Sequence, residues 1–517
     1  MTAPTASPSA CAYPWMPDAG DGTYRNPVIH ADYSDPDIIR HGDDFWLTAS
    51  SFNCTPGLPI LHSRDLVNWS LVNHAIRQVP HPRYAEVLPG CGVWAPALRW
   101  HAGKFWIFFP LPDEGIYVTT ATDLRGAWSE PWLLAEARGW IDPCPFWDDD
   151  GQAYLVHAFA NSRAGKKERI QVRPMAPDGR SLLGEGREII HAPHHPFLEG
   201  PKVHKIDGRY YILCPGGGVS SGWQVVFRAD TLWGPYDEKI VLAQGGTAVN
   251  GPHQGALIDL TDARRSDGEW WFMHFQDAGA FGRINHLQPV SWRDGWPCFG
   301  FDREGRGTGE PVAGGRIPRP GRTPQVLVPA TTDEFDDPTL GRPWQWHANH
   351  DPAWASPAAR PGWLRLTARP APNGQVHLAP HFLGQKFPAR SFAVATRIDG
   401  SALEPGDLAG LAVVGGPNHA LLGLRRTDGA YEVVWLEPGR PRTVAATHSP
   451  QLEVQVEVTA DAVCHFTFTV PPQPDWREGG VHSATAGGWI GAKIGLVALA
   501  GRPGSTGRGD FDYFRFR

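Results

Sequence analysis

The stretch 41–50, HGDDFWLTAS, sets a glycine turn ahead of an aromatic-rich strand, and the chain repeats that arrangement four more times. The echoes are HAGKFWIFFP (101–110), DDGQAYLVHA (149–158), IDGRYYILCP (206–215) and DGEWWFMHF (267–275). Glycine supplies the positive φ of a tight hairpin, while Phe, Trp, Tyr, Val and Ile suit a pleated surface. The turn glycines 42, 103, 151, 208 and 268 lie 61, 48, 57 and 60 residues apart, enough for a four-stranded antiparallel sheet with loops in each unit. Five units predict an all-β fold with a five-bladed β-propeller over 24–302, after an N-terminal extension at 1–23.

Beyond the last repeat the chain turns to Gly, Pro and Arg (REGRGTGEPVAGGRIPRPGRTPQ), which cannot build a core and reads as a linker over 303–331. Segments such as WLRLTAR, SFAVATRI, YEVVWL, LEVQVEVT and DFDYFRFR then alternate apolar and polar positions, predicting a C-terminal β-sandwich over 332–517. The 59 Gly and 50 Pro among 517 residues exclude a coiled coil or helical bundle, and 41% hydrophobic content excludes a disordered chain. A net charge of −7 offers polyanions no footprint, so nucleic acid is not an expected partner. Seven scattered Cys without a CxxC pair argue against a disulfide framework and a cysteine zinc site. With no basic-then-apolar start and no membrane-length apolar run, the expectation is a soluble, cytoplasmic protein without a membrane partner. Whether it forms a homo-oligomer stays open.

Measured against the turn glycines, Trp94, Asp142 and Glu199 each precede their glycine by nine residues, and Asp35 precedes Gly42 by seven. Equivalent positions in successive blades occupy equivalent places around a propeller axis. Asp35 and Asp142 also precede prolines, which predicts extended backbone at inner strand ends. Three carboxylates from blades 1, 3 and 4 would then meet in one cavity. Gathering three acids is costly, because like charges raise one another's pKa. A glycoside hydrolase has a use for it: one carboxyl protonated to donate to the leaving oxygen, another ionised to activate water. Turn capping is the competing reading, and Asp149, Asp150 and Asp207, beside turn glycines, are read that way. Gly218-Val-Ser220-Ser-Gly222 matches the serine-hydrolase elbow formally, but a strand-like QVVFRAD follows where a helix is required.

The segments YRNPVIHADYSDPDIIRHGDDFWLTASSF, GVWAPALRWHAGKFWIFF, IDPCPFWDDDGQAYLVHA, EGPKVHKIDGRYYIL and FGRINHLQPVSW together resemble glycoside hydrolase family 43, the inverting β-xylosidases and α-L-arabinofuranosidases. The resemblance implies Asp35 as general base, Asp142 as pKa modulator and Glu199 as general acid, with base and acid carboxyls roughly 6.5–9.5 Å apart. It implies that Arg283 contacts sugar hydroxyls, that Phe52 and Trp94 wall the pocket, and that the sandwich narrows its mouth. His253 resembles a histidine that helps hold a hydrated cation, commonly Ca2+; it reads equally as a core hydrogen-bonding residue. No cofactor is required for the chemistry. Trp223 and Gln224, in a stretch unlike shorter relatives, are expected on the pocket rim. The expected activity is exo-acting release of terminal xylose from β-1,4-xylooligosaccharides. Arabinofuranose release from arabino-oligosaccharides is the close alternative, and a non-catalytic carbohydrate-binding propeller the alternative from another class. EGP and IDP at positions 199 and 142 disfavour the related fructosidases, which carry EC and RDP there.

Overall fold

The computed structural model describes residues 14–261, 264–319, 329, 331–439 and 441–517. Of the expected N-terminal extension and linker, residues 1–13, 320–328 and 330 lie outside that range. At four of the five turns the glycine takes a left-handed φ: +61° at Gly42, +76° at Gly103, +82° at Gly151 and +76° at Gly208. Gly268 is different, because its φ is not left-handed and a Cβ there would meet Thr261 Oγ1 at 2.6 Å. That turn needs glycine for space.

Each turn joins the first two strands of a four-stranded antiparallel sheet whose strands follow chain order. Blade 1 runs Asp37–His41, Asp44–Thr48, Gly57–Ser63 and Ser70–Ile76, and blade 2 begins at Ala97–His101. Blades 3, 4 and 5 open with Trp140–Trp147, Lys202–Ile206 and His253–Asp259. The second strands are apolar at consecutive positions because both faces of a blade are covered by neighbours. Phe105, Ile107 and Phe109 pack with Trp46, Leu58 and Ile60 of blade 1. Trp106 and Phe108 point the other way, onto Ala153 and Leu155 of blade 3. The same alternation builds a core between blades 3 and 4, between 4 and 5, and between 5 and 1.

The chain ahead of blade 1 closes the ring against the third strand of blade 5, Arg283–Arg293: Ile29 bridges Asn285, and Tyr33 N donates to the Arg283 carbonyl at 3.2 Å. The front of the expected linker is structured. Gly314–Arg316 pairs with Thr23–Arg25, and Phe301 bridges Glu310. Paired backbone can order a glycine-rich stretch that has no core of its own.

The C-terminal domain is a sandwich of a seven-stranded and an eight-stranded sheet. Its inward positions, among them Val394, Leu411, Leu422, Val454, Phe466, Ile494 and Leu496, form one core. It docks through paired backbone, Thr55 and Trp346 exchanging both hydrogen bonds at 3.1 and 2.7 Å. The free cysteines among the described residues are Cys54, Cys91, Cys144, Cys214, Cys298 and Cys464. No described helix is long and apolar enough to cross a membrane.

Candidate active site

A pocket of about 400 Å³ opens where the first strands of the blades begin, and Asp35, Asp142 and Glu199 all line it. The backbone presenting two of them is strained. Asp35 and Asp142 have φ of +56° and +55°, so the extended geometry expected of a residue before proline is not what forms; a left-handed non-glycine residue costs on the order of 1–3 kcal/mol. In blade 3 the cause is visible. Pro143 has no N–H for the ladder, and the register with the next strand slips between Ile141 and Cys144. The resulting bulge turns Asp142 out of the sheet alternation and into the pocket. Phe52 and Phe197, also pocket-lining, share the left-handed φ at +52° and +59°.

The three carboxyls have unlike surroundings. Asp35 is nearly sealed and accepts from every partner: Ser34 Oγ at 2.6 Å and Ser50 Oγ at 2.5 Å on Oδ2, and Arg283 Nη1 at 3.4 Å on Oδ1. Arg283 also donates to Ser34 Oγ at 2.8 Å, tightening that relay. Asp142 accepts the Gly200 N–H at 2.7 Å and Gln254 Nε2 at 3.4 Å, so it holds the residue adjoining Glu199. Burial pushes the Asp142 carboxyl well above its usual range, and the charges of Glu199 and Asp35 push the same way.

Glu199 has one side-chain partner, His253 Nε2, at 2.9 Å. Burial, then the Asp35 charge, raises its pKa, opposed by Arg283. About a third of its side chain (31%) still faces the cavity, as a proton donor to a ligand must. Burial drives His253 down to about 3, with Arg283 adding to the effect. It is therefore a neutral imidazole, able to donate to an ionised Glu199 or accept from a protonated one. Its Nδ1 is buried without a hydrogen-bond partner.

Phe52, Trp94 and Arg283 line the pocket as expected from the resemblance. Trp223 and Gln224 do not. They open the strand Trp223–Ala229, paired to Gly216 and Pro215, and their polar atoms turn away: Trp223 Nε1 donates to His195 Nδ1 at 3.1 Å and Gln224 Nε2 to the Pro252 carbonyl at 3.1 Å. The preceding loop, Gly217–Ser221, takes the rim instead. Ser220 is on that rim, and a strand follows it.

Beside His253, where a cation is expected, no three His, Cys, Asp or Glu side chains among the described residues lie close enough together to share an ion. Among the described residues, the His, Cys, Asp and Glu set close enough to share an ion is His194, His195 and Glu238 on blade 4. There the Trp223 indole occupies Nδ1 of His195, so its other nitrogen carries the proton and is no ready ligand.

Sequence reasoning missed Phe197, Gln254 and, above all, Trp489. Trp489 comes from the sandwich; its ring lies 6.5 Å from Trp94 in a T-shaped pair, with the Arg283 guanidinium 5.6 Å away. The loop carrying it fits closely. Gly491 N donates to Asp32 Oδ2 at 3.0 Å, and a Cβ on Gly491 would strike Gly282 N at 2.6 Å. Phe197 had one available signal, its place two residues before Glu199. Trp489 had none in register, lying 290 residues downstream of Glu199, the nearest of the pocket carboxyls.

A five-bladed propeller with three carboxyls in an aromatic-walled pocket is the architecture of a glycoside hydrolase. Residues 24–297 match the family model described as glycosyl hydrolases family 43, and residues 332–517 match the β-xylosidase C-terminal concanavalin A-like domain. The chain belongs to glycosyl hydrolase family 43 and is a glycoside hydrolase, whose chemistry needs no cofactor. It is 38% identical to a putative β-xylosidase of Xylanibacter ruminicola, over 93% of this chain and 87% of the relative. It is 28% identical to a non-reducing end α-L-arabinofuranosidase of Bacteroides ovatus, over 97% of each. A family 43 protein of Bacillus licheniformis superposes with a TM-score of 0.82 at 26% identity, over 96% of this chain and 99% of that one.

Proposed function

We propose that this chain is an exo-acting, inverting β-xylosidase that removes terminal xylose from short xylooligosaccharides. The observation that carries the reading is the contrast between Asp35 and Glu199 across one cavity. Every hydrogen-bond partner of Asp35 is a donor, which suits a carboxylate that takes a proton from water. Glu199, raised by burial and facing the cavity, suits a carboxyl that gives its proton to the leaving oxygen. In this reading the attacking water is activated at Asp35 as Glu199 protonates the departing sugar, in one displacement that inverts the anomeric carbon. Asp142 is a positioning residue, holding Gly200 beside the acid. Arg283 orders Asp35 through Ser34 and presents its remaining donors to sugar hydroxyls.

The wall that Trp489 adds favours a pocket for chain ends over an open cleft. The similarity to a relative named a putative β-xylosidase supports xylose as the unit released.

Proton NMR of products from mixed xylo- and arabino-oligosaccharides tests sugar and stereochemistry together. The expected result is xylose released first as the α-anomer from β-linked substrate. Release of β-xylose overturns the mechanism, and release of arabinose alone overturns the substrate.

A further inference from the structure

Lys493 opens the sandwich strand Lys493–Leu499 and is 3% exposed. A lysine is almost never buried without a charge partner. Among the described residues this one makes no ion pair with a carboxylate; its contacts are Cys54 Sγ at 2.9 Å and Gln345 Oε1 at 3.2 Å. Lys386, its register partner on Leu383–Lys386, is committed elsewhere, to the Asp32 carbonyl. Cys54 is buried too and belongs to the other domain, on the loop between the second and third strands of blade 1. One amine and one thiol, from separate domains, therefore meet in a closed seam.

Near the pair, though lined by neither residue of it, is room for a small reactant. A cavity of about 50 Å³ is lined by Gln385, Lys386, Tyr33 and His30 among others, one strand over from Lys493. Its walls are mostly apolar, which suits a nonpolar molecule such as dioxygen, and both polar atoms of the buried Gln385 amide lack partners.

We propose that Cys54 and Lys493 form an oxidative modification site, at which dioxygen joins Sγ to Nζ through a single oxygen atom and so ties the propeller to the sandwich. The step balances. One N–H and the S–H bond break, an N–O and an O–S bond form, and the two hydrogens leave with the second oxygen atom as water. Nitrogen and sulfur each give up two electrons, and dioxygen takes all four. An oxygen spacer suits two atoms that already touch across a seam; a direct S–N bond would pull the domains closer.

The bridge bears on the pocket without entering the chemistry. Cys54 stands two residues after Phe52 and Lys493 four after Trp489, so it clamps two walls of the pocket to each other.

The test is peptide mapping by mass spectrometry of the intact wild-type protein, kept anaerobic or exposed to air and digested without reductant. Air exposure should yield a joined pair of peptides containing positions 54 and 493, heavier than their sum by one oxygen less two hydrogens. Excess dithiothreitol should release it, and the anaerobic sample should lack it. Air-exposed protein should also melt at a higher temperature than reduced protein, a difference absent from Cys54→Ser. An air-exposed sample whose Cys54 is a free thiol, or is oxidised with Lys493 unlinked, overturns the proposal. So does a joined pair that lacks the oxygen.

Discussion

The propeller holds its pocket residues at strand ends in strained backbone, Asp35 and Asp142 both near φ +55°. The sandwich holds Trp489, itself left-handed at φ +66°, on a loop of small residues, Gly487, Gly488 and Gly491, pressed against the propeller. Both carry local strain, which in the first fixes the carboxyl directions. The second depends on docking, and its strength is the strength of the seam. The chemistry is thus confined to one domain and the fit of the substrate to the contact between two, so variants in the two regions should separate kcat from KM.

The largest effect is expected in the propeller. Glu199→Ala and Asp35→Ala should each lower kcat on xylobiose by about 10²–10⁴-fold, the usual share of a general acid or base. Glu199→Ala should recover activity on aryl xylosides with acidic leaving groups, whereas Asp35→Ala should not. Equal behaviour on both substrates would dissolve the assignment of acid and base.

The seam comes next. Gly491→Val puts a side chain where Gly282 lies, an overpacking that costs about 1–3 kcal/mol. Calorimetry should show a lower Tm and assays a weaker grip on xylobiose; an unchanged Tm would mean the docking is looser than these contacts imply. Trp489→Ala, which leaves the docking backbone in place, should raise KM for xylobiose about tenfold, equivalent to roughly 1.4 kcal/mol. Its kcat should stay close to that of the wild type, and a loss confined to kcat would move Trp489 from the wall into the chemistry.

The pH profile sharpens the same contrast. In the proposed mechanism Glu199 acts while protonated and its pKa is raised, so the acid's contribution is full below that raised value and is lost as pH climbs through it. The alkaline limb of kcat/KM should lie above the usual carboxylate range; a limb within that range would remove the raised acid.

The smallest effect is on stability. Asp142 has a folded-state pKa above its unfolded one, so the unfolded chain ionises first and stability falls as pH rises from the unfolded value towards the folded one. Asp142→Asn should therefore raise stability at pH above both values, by on the order of 1 kcal/mol, while slowing catalysis. A destabilised variant there would show that the Gly200 hydrogen bond outweighs the burial.

Much of the propeller's share of the site was legible because blades repeat. A residue nine positions before a turn glycine falls at the same place in each blade, and Trp94, Asp142 and Glu199 all reach the pocket. The same reasoning mistook the backbone of Asp35 and Asp142, since proline's preference for an extended neighbour gave way to a tertiary demand for a left-handed turn. It failed at Trp223 and Gln224 because a single residue's shift along a hairpin exchanges rim for interior, and strand pairing to Gly216 and Pro215 sets that register. His253 was legible as an axial residue, but not its bond to Glu199, which joins two blades.

Periodicity and turn chemistry by themselves determined the two all-β domains, the blade count and the carboxyls of the cavity, because each rests on a local pattern that recurs from blade to blade or strand to strand. The tertiary structure alone decided which walls complete that cavity, how far burial displaces Glu199 and Asp142, and that Cys54 faces Lys493. Those features arise where segments hundreds of residues apart exclude water together, and no local pattern records such a meeting.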